Sequence, residues 1–558
     1  MQETNNHITV KFEDGRKTEC APQTQVKTLA PAKRAPSGLH YLGALVNNEV
    51  VSMSYPLDVD CTIQFVTLAE HHGWLIYRNS LAFLLAKTVK ELFPSAMFLI
   101  EHSLGNAFYC TFEINGRKEI AQEELDAIDK RMRDAVARDV PIRRRKGSYT
   151  EAVLQFEKES QWDKFNLLRY SNPPKIVMYV CEGFSDLMHA PFAMSTGALP
   201  YFRLVRYPPG FVIQFPERWN PSHLPPFEPQ PHLFQIFKEH KEWGRILGVN
   251  TVGRLNEIVT KREIGDFIKI AEAFHEKKIA RIADHIAEHR NRLKWILIAG
   301  PSSSGKTTFA KRLAVQLRVN GFKPLTISVD NYFVDREKTP KTETGEYDFE
   351  NIETIDLELF NKHLKMLDEG AEVELPYFNF QAGRQEFRGE KLKINHDEIV
   401  IVEGIHALNP RLSHILPADR KYRVYVSALT QLNLDFHNRI STTDNRLIRR
   451  LIRDHHFRGN SALMTLQMWP NVRQGEKKWI FPFQQEADIA FNSALDYELA
   501  VLKPYVEALL YEVKPSDPQY AEARRLLGFV SRFLSITADL VPPTSILREF
   551  IGKSAFHY

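Results

Sequence analysis

The chain has 558 residues, too many for one compact core, and its 43% hydrophobic and 25% charged residues are typical of ordinary globular domains. The net charge of +4 is too small over this length to indicate non-specific binding to nucleic acid. The four cysteines form no CxxC pair, so neither disulfides nor a zinc site is expected. Without a signal-peptide pattern or an apolar run near the roughly 18 residues of a membrane span, we expect a cytoplasmic protein that does not bind membranes.

Short strand-like segments fill residues 1–67. HITVKF comes first, ALVNNEVVS follows with an Asn-Asn turn at its centre, and TIQFVTL ends the region. Alternating apolar residues bounded by turn residues are typical of strands. The pattern predicts a small β-rich module.

Residues 69–240 predict one α+β domain. Apolar residues recur at helical spacing from about 78 to 93, and five strand-like segments follow: MFLIEH, AFYCTFEI, KIVMYVCEG, YFRLVRY and FVIQFP. A proline cluster over 216–232 closes the domain because proline interrupts helices and central strands. The charged stretch 255–290 then predicts a long connecting helix.

A different pattern starts near Lys294. Four apolar strands, WILIAG, PLTISVD, EIVIVEGI and YRVYVSAL, are separated by segments of helical periodicity. Strands that alternate with helices indicate a parallel sheet in an α/β domain. We place this domain at 291–515 and expect a helical extension at 516–558 that packs onto the rest of the protein.

The first of these strands leads into a GxxxxGK[ST] motif, which begins at Gly300 and is matched at every fixed position. Glycines are needed because backbone N–H groups must converge on a phosphate, and the following helix N-terminus adds partial positive charge. Lys306 is expected to bridge the β- and γ-phosphates of ATP, and Thr307 to bind Mg²⁺ through its hydroxyl. The predicted ATP-binding residues are Gly300, Pro301, Ser302, Ser303, Ser304, Gly305, Lys306, Thr307 and Thr308.

Three later segments carry groups suited to phosphoryl transfer. Asp330 ends the next strand, where a carboxylate can accept the proton of an attacking hydroxyl, although alone it would be read as a solvated loop residue or helix cap. Glu403 follows a near-continuous apolar run, as an acidic group near Mg²⁺ would. A helix face with arginines at i, i+3, i+4 and i+7 is typical of a lid over triphosphate, of a solvated basic face or of an RNA patch. These arginines are Arg446, Arg449, Arg450 and Arg453.

The segments GPSSSGKTT, SVDNYF, YDFENIETID, IVEGI and RLIRRLIRDHHFRG stand in this order between about 294 and 515. With them, this span resembles the uridine kinase and phosphoribulokinase family of P-loop kinases. The resemblance implies that Asp330 is the general base and that Glu403 lies near the metal, with Thr307. It also implies that lid arginines meet substrate and phosphate. The predicted catalytic residues are Asp330, Lys306, Arg453 and Arg458.

The acceptor pocket departs from the family pattern. Glu350 stands where uridine kinases have an aspartate that binds ribose hydroxyls. Phe378 and Gly383, in PYFNFQAGR, replace a tyrosine and a histidine that contact the pyrimidine in uridine kinases. A site without these polar groups loses discrimination for a base. The predicted substrate residues are Tyr332, Glu350, Phe378, Phe380 and Arg450.

The front part resembles the N-terminal part of threonyl-tRNA synthetase. Residues 1–67 are similar to its TGS module, a β-grasp-like fold, and 69–240 to its editing domain, through YRNSLAFLLAKTVKELFP and FSDLMHAPFAMSTG. The polar residues of that editing pocket are all replaced, by Asn79, Phe83, Met188 and Phe192. His189 and Cys181 lie nearby at the wrong offsets, so we expect no tRNA editing, with the pocket either repurposed for a ligand or packed shut.

The sequence therefore predicts an ATP- and Mg²⁺-dependent kinase of a small-molecule hydroxyl, most simply a nucleoside. A sugar or cyclitol is the alternative acceptor, given Phe378 and Gly383. An RNA-associated or ligand-sensing regulator is the alternative from another class, although the net charge does not support tRNA binding. In a third interpretation, the front domain senses a small molecule and biases the kinase half.

Overall fold

A computed structural model describes residues 7–171, 173–342, 345–379, 381–395 and 398–557. Its strands are β1 Ile8–Phe12, β2 Lys17–Cys20, β3 Thr24–Gln25, β4 Gly43–Val46, β5 Glu49–Ser52, β6 Pro56–Leu57, β7 Cys61–Val66, β8 Met97–Ser103, β9 Ala107–Glu113, β10 Arg143–Ser148, β11 Lys175–Cys181, β12 Phe184–Leu187, β13 Arg203–Tyr207, β14 Gly210–Gln214, β15 Trp295–Ala299, β16 Lys323–Ser328, β17 Val373–Asn379, β18 Arg384–Leu392, β19 Glu398–Glu403, β20 Lys421–Ser427 and β21 Ile489–Asn492.

Helices connect and cover these strands. Within the described residues, none combines the length and apolarity needed to cross a bilayer. The helices are α1 His71–Leu92, α2 Gln122–Ala137, α3 Tyr149–Lys158, α4 Trp162–Arg169, α5 Pro231–Leu247, α6 Val252–Thr260, α7 Ile264–Glu288, α8 Lys306–Val319, α9 Leu357–Asp368, α10 Pro410–Ser413, α11 Thr442–Arg458, α12 Ala462–Trp479, α13 Glu498–Tyr511, α14 Tyr520–Val530 and α15 Arg548–Ile551.

The front part contains the two predicted folding patterns. Its first sheet has the order β2-β1-β7-β4-β5, with β1 parallel to β7 and the other neighbours antiparallel. Two antiparallel sheets follow, β13-β14-β9-β8 and β10-β11-β12. Helix α1 starts at His71, earlier than the predicted 78, and buries Ile76 and Tyr77 in the same core as Leu81 and Leu84. The β-rich and α+β predictions are confirmed.

The predicted single connecting helix over 255–290 is wrong. Two helices, α6 and α7, occupy this stretch, and the chain turns between them at Arg262, whose φ is 63°. Neither helix is a free linker, because α6 packs on α4 and α7 packs on α8. Buried Leu255 and Ile268 place both helices in the largest hydrophobic core.

The C-terminal half is built on a parallel sheet of order β16-β19-β15-β20-β21, as predicted. The central strands are apolar and buried on both faces, as parallel strands covered by helices are. A β17–β18 hairpin lies beside them. The carboxyl ends of β15, β16, β19 and β20 share one edge, where ligands bind in such sheets.

The front and C-terminal halves share one hydrophobic core. Leu167 of α4, Leu255 of α6 and Leu447 of α11 belong to the same buried cluster. The backbone N–H of Ile100 in β8 donates to the carbonyl of Phe436 at 2.9 Å, so the loop after β20 also pairs with the front half. The chain is therefore not two separable modules on a linker.

Candidate active site

The GxxxxGK[ST] motif forms a loop between β15 and α8. Gly300 has no room for a side chain, because a Cβ there would lie 2.1 Å from the carbonyl oxygen of Val426. Ser303 and Gly305 have positive φ, 59° and 81°, which curls successive N–H groups towards one side. The hydroxyls of Ser303 and Ser304 are buried, and neither has a hydrogen-bond partner among the described residues. The loop is thus a concave set of donors suited to an anion.

Helix α11 and its partners hold this loop by its carbonyl oxygens. Arg446 Nε donates to the carbonyl of Ser302 at 2.9 Å, and Arg449 Nη1 donates to that of Ser303 at 3.4 Å. The hydroxyl of Ser493 donates to the carbonyl of Ser304. These contacts fix the backbone of the loop on its carbonyl side.

The expected lid face of four arginines is therefore partly wrong. Arg446 and Arg449 are fully buried and paired with carboxylates from α12 and α13, so they support the loop and cannot close over a substrate. The sequence did not reveal these partners because they lie 30 and 49 residues away. The partners are Glu476, which also accepts the N–H of Ser302 at 3.1 Å, and Glu498.

The remaining two arginines of this face, Arg450 and Arg453, converge with Arg458 on one carboxylate. Asp454 accepts from Arg450 at 3.1 Å and from Arg453 at 3.0 Å, and it lies 3.3 Å from Arg458. Arg450 also donates to the hydroxyl of Ser302 at 2.9 Å. The like charge of Arg453 lowers the pKa of Arg458. These arginines remain at the loop with partly unneutralised positive charge, as anion binding requires.

Lys306, at the start of α8, is close enough to two buried carboxylates to influence their pKa values. Burial raises the pKa of Glu350 to about 7, and the pKa of Glu403 is raised by burial as well, while the Lys306 ammonium opposes both shifts. Asp330, half-buried in the turn after β16, is close enough to Glu403 to raise its pKa further. The structure thus brings the predicted base, the loop lysine and both acidic residues into one cluster.

The predicted magnesium ligands lie side by side. The Thr307 hydroxyl donates to Glu403 Oε2 at 3.4 Å, and the Ser328 hydroxyl donates to Glu403 Oε1 at 3.2 Å. Mg²⁺ prefers hard oxygen ligands and is held in kinases through one or two carboxylates plus phosphate. Hydroxyl and carboxylate oxygens at the phosphate loop fit that preference.

Two of the aromatic residues predicted to bind substrate, Tyr332 and Phe378, are buried in the structure. Tyr332 is only 1% exposed, packs on Phe360 and donates to or accepts from His363 Nδ1 at 3.0 Å, so its ring is part of the core and offers no face to a substrate. Phe378 in β17 is buried against Phe333, at the side of the same turn that carries Asp330. Phe380 lies outside the described residues.

Gly383 sits in the tight turn between β17 and β18. Its φ is 68°, and a Cβ there would lie 2.9 Å from Nε of Arg336. The position that holds a histidine in uridine kinases is therefore strained for any side chain and is already approached by an arginine. This agrees with the predicted loss of polar contacts to a base.

Glu350 keeps one oxygen free for a ligand. The residue is 8% exposed, and within the part of the chain that the structure describes its buried Oε2 has no hydrogen-bond partner. Arg450 Nη1 lies 3.9 Å from Oε1. Gly475 of α12 presses on Glu350, since a Cβ at that glycine would lie 2.3 Å from the glutamate Cβ.

A further acidic residue at the loop was not predicted. Glu549 of α15 accepts the backbone N–H of Thr308 at 3.1 Å and its hydroxyl at 2.7 Å. Glu549 also raises the pKa of Glu403, which places it inside the same charge cluster. No local sequence signal marks it, because it follows the phosphate motif by 241 residues.

The editing-like pocket of the front half is packed shut. Phe83, Phe192 and Met188 join one hydrophobic cluster, with the Phe83 and Phe192 rings 5.2 Å apart. Tyr179 stacks on Phe192 at 4.4 Å and completes the filling. The fourth replaced position, Asn79, is half-buried on α1. Aromatic carbons thus occupy the space that metal ligands or water would need.

His189 and Cys181 do not restore that chemistry. His189 Nε2 bonds Asp435 Oδ2 of the C-terminal half at 2.7 Å, and burial raises the pKa of the Cys181 thiol to about 11. A protonated, buried thiol is not a nucleophile. His189 instead links the two halves of the molecule.

The C-terminal half has the features of a P-loop kinase type of domain. The phosphate loop follows the central strand of a parallel sheet, a lysine starts the next helix, and carboxylates lie at the same sheet edge. Residues 295–500 match the model of the Phosphoribulokinase / Uridine kinase family. The predicted resemblance of the C-terminal half is confirmed, and phosphoryl transfer by a P-loop kinase is supported, with the acceptor unspecified.

The front part matches threonine–tRNA ligases, which confirms the second resemblance. The ligase of Acidovorax sp. (strain JS42) is 33% identical over 202 residues, 36% of this chain and 31% of the relative. That of Desulforamulus reducens is 30% identical over 201 residues, with the same shares. The chain thus spans 31% of the length of these relatives.

Among solved structures, one described as a possible uridine kinase from Bacillus stearothermophilus is 18% identical in sequence to this protein. The alignment covers 38% of this chain and 97% of the other, with a TM-score of 0.26.

Proposed function

We propose that the protein transfers the γ-phosphoryl group of ATP to a hydroxyl of a small molecule, with a nucleoside as the first candidate. The observation that carries this proposal is the cluster at the phosphate loop. It combines a lysine at the helix start, a half-buried aspartate and two buried carboxylates whose charges influence one another. Titratable groups whose pKa values are shifted by burial and by one another cluster at functional sites.

Each residue has a role in this chemistry. Asp330 accepts the proton of the substrate hydroxyl while the hydroxyl oxygen bonds to the γ-phosphorus of ATP. The bond between the γ-phosphorus and the oxygen that bridges it to the β-phosphate breaks, and ADP is released. Lys306 and the arginines beside Asp454 neutralise charge on the moving group. Thr307 and Glu403 would hold Mg²⁺, which supplies further neutralisation of the phosphates when bound.

The acceptor is inferred from Glu350. A buried carboxylate oxygen without a partner favours a ligand that donates a hydrogen bond, and neighbouring hydroxyls of a ribose do so. Sugars and cyclitols offer the same donors. A nucleoside is the first candidate acceptor because of the family match. A polyol is the alternative acceptor because Phe378 and Gly383 provide no polar side-chain contact to a base.

The test is ADP release from MgATP with a panel of nucleosides, sugars and cyclitols, using the Lys306→Ala variant as the inactive control. Turnover on a nucleoside that the control loses supports the proposal. Turnover only on a polyol retains the kinase mechanism and overturns the nucleoside assignment. If ATP binds but no acceptor is phosphorylated, the regulator alternative is favoured.

A further inference from the structure

We infer that Glu549 competes with nucleotide phosphate for the phosphate loop, so that the C-terminal segment of the chain restrains ATP binding. This inference rests on the proposed function, since it concerns the same ATP site. It assigns a role to α15, which lies far from the phosphate motif in sequence and which the catalytic residues do not require.

The contact lies at the helix N-terminus of the phosphate loop. Thr308 is the third residue of α8, and its N–H is one of the amides that no residue within the helix can satisfy. Glu549 takes this N–H at 3.1 Å and the adjoining hydroxyl at 2.7 Å. A helix start next to a phosphate-binding glycine loop is where an anion binds. A carboxylate of the protein itself therefore uses donors that a nucleotide phosphate would use.

The shared donors of Thr308 make the Glu549 carboxylate and a nucleotide phosphate mutually exclusive. Thr307, the neighbour of Thr308, contacts Glu403 Oε2 at 3.4 Å, so a bound triphosphate would meet the carboxylates of Glu403 and Glu549 at once. Lys306 and Mg²⁺ would offset the charge of Glu403, but the Thr308 donors can serve only one anion. Binding of ATP thus requires the Glu549 side chain to swing away.

The segment around Glu549 is anchored, so the side chain alone has to move. Ile546 and Phe550 are fully buried in the core beneath α8, beside Phe309. A Cβ at Gly305 would lie 2.5 Å from Cγ2 of Ile546, which shows how closely the segment covers the loop. Glu549 itself is only half-buried and can reach solvent. The backbone of this segment is thus held by buried side chains, whereas the Glu549 carboxylate is partly exposed.

The test compares Glu549→Gln with the wild-type full chain by equilibrium binding of ATP and of inorganic tripolyphosphate. Glutamine keeps the size and one acceptor but removes the charge. We expect both ligands to bind about fivefold to tenfold more tightly, the scale of a partly buried charge at a helix end. Glu512→Gln, an exposed glutamate at the end of α13, is the matched control and should change neither affinity.

Thermal unfolding provides the second readout. Without ligand, Glu549→Gln should melt slightly lower than wild type because it loses a charged contact, whereas its increase in Tm on adding ATP should be larger. Equal affinities in the two proteins would overturn the role of Glu549 and leave the proposed kinase intact. Weaker ATP binding by the variant would overturn it too, and would make Glu549 a supporting ligand. Absence of ATP binding in both proteins would overturn the proposed function itself.

Discussion

Glu350 shows how far a single residue departs from its solution behaviour at this site. Burial raises the pKa of its carboxyl from 4.5 to about 7, although Arg450 and Lys306 lie close enough to oppose the shift. Desolvation therefore outweighs the attraction of two cations. These surroundings favour a carboxyl that is neutral or hydrogen-bonded, and a hydroxyl-rich ligand would donate such hydrogen bonds.

The raised pKa predicts a stability change with pH. Between about pH 4.5 and 7 the folded state binds more protons at Glu350 than the unfolded state, so this residue lowers the free energy of unfolding as pH rises through that window. Glu350→Gln removes the effect. We measure the free energy of unfolding by denaturant, without ligand, for both proteins. The value for the variant minus that for wild type should rise by on the order of 2 kcal/mol from pH 5 to pH 8. A difference that is independent of pH would contradict the assignment.

The sequence predicts best those site residues that belong to one contiguous motif. Gly300, Lys306 and Thr307 lie within one loop, so their proximity follows from chain connectivity alone. Asp330 and Glu403 end parallel strands, and strand ends of one sheet meet at one edge. Tyr332 could not be placed because its neighbour His363 lies on another element, and ring direction at a turn depends on tertiary packing.

Helix α11 divides its arginines between two tasks. Arg446 and Arg449 face inward and hold carbonyls of the phosphate loop, whereas Arg453 and Arg458 meet at Asp454 with part of their surface exposed. Helical spacing predicts which arginines share a face, but only the positions of α12 and α13 decide which of them find buried carboxylates. The helix thus positions the loop with one set of charges and leaves the other set available.

This division predicts that one substitution lowers stability and that another lowers kcat. Arg449→Leu leaves Glu498 buried without its cationic partner, with Asn445 still donating to its side chain, and should lower the free energy of unfolding by about 3 kcal/mol, measured with denaturant. Arg453→Ala should change stability by less than about 1 kcal/mol but lower kcat by on the order of a hundredfold. The double variant Arg449→Leu/Glu498→Leu should recover part of the stability. A stable Arg449→Leu protein with wild-type unfolding would contradict the supporting role.

The whole molecule is joined by a buried polar cluster as well as by its shared core. Lys164 of α4 has no exposed surface and lies 3.4 Å from Asp163 and Asp186, and 3.8 Å from Asp435 of the C-terminal half. The Lys164 ammonium holds the pKa of Asp435 well below its usual range. One ammonium thus lies among three buried carboxylates across the junction, two of which also pair with His437 and His189.

Removal of that cation should destabilise both halves together. Lys164→Met leaves Asp163, Asp186 and Asp435 buried without their shared ammonium, and we expect a loss of at least about 3 kcal/mol in the free energy of unfolding. Lys146→Met, on the exposed edge strand β10, is the matched control and should be neutral within about 0.5 kcal/mol. Separate unfolding transitions that the substitution leaves unchanged would show that the halves are not coupled in this way.

At this scale the sequence predicted the parts but not their assembly. Strand and helix patterns predicted the β-rich module, the α+β domain and the parallel sheet, because those patterns are local. The stretch 255–290 has helical periodicity on both sides of Arg262, so the break there could not be seen. The shared core could not be predicted either, because it forms between segments more than 150 residues apart.

The central claim is that Asp330 is the base of a phosphoryl transfer at this loop. The most direct measurement compares wild type and Asp330→Asn for ATP affinity and for phosphate transfer to the best acceptor of the panel. Asparagine preserves the shape of the side chain but cannot accept the proton. The account predicts transfer slowed by at least a hundredfold, with the Kd for ATP within about threefold of wild type. Transfer at the wild-type rate in the variant would contradict it.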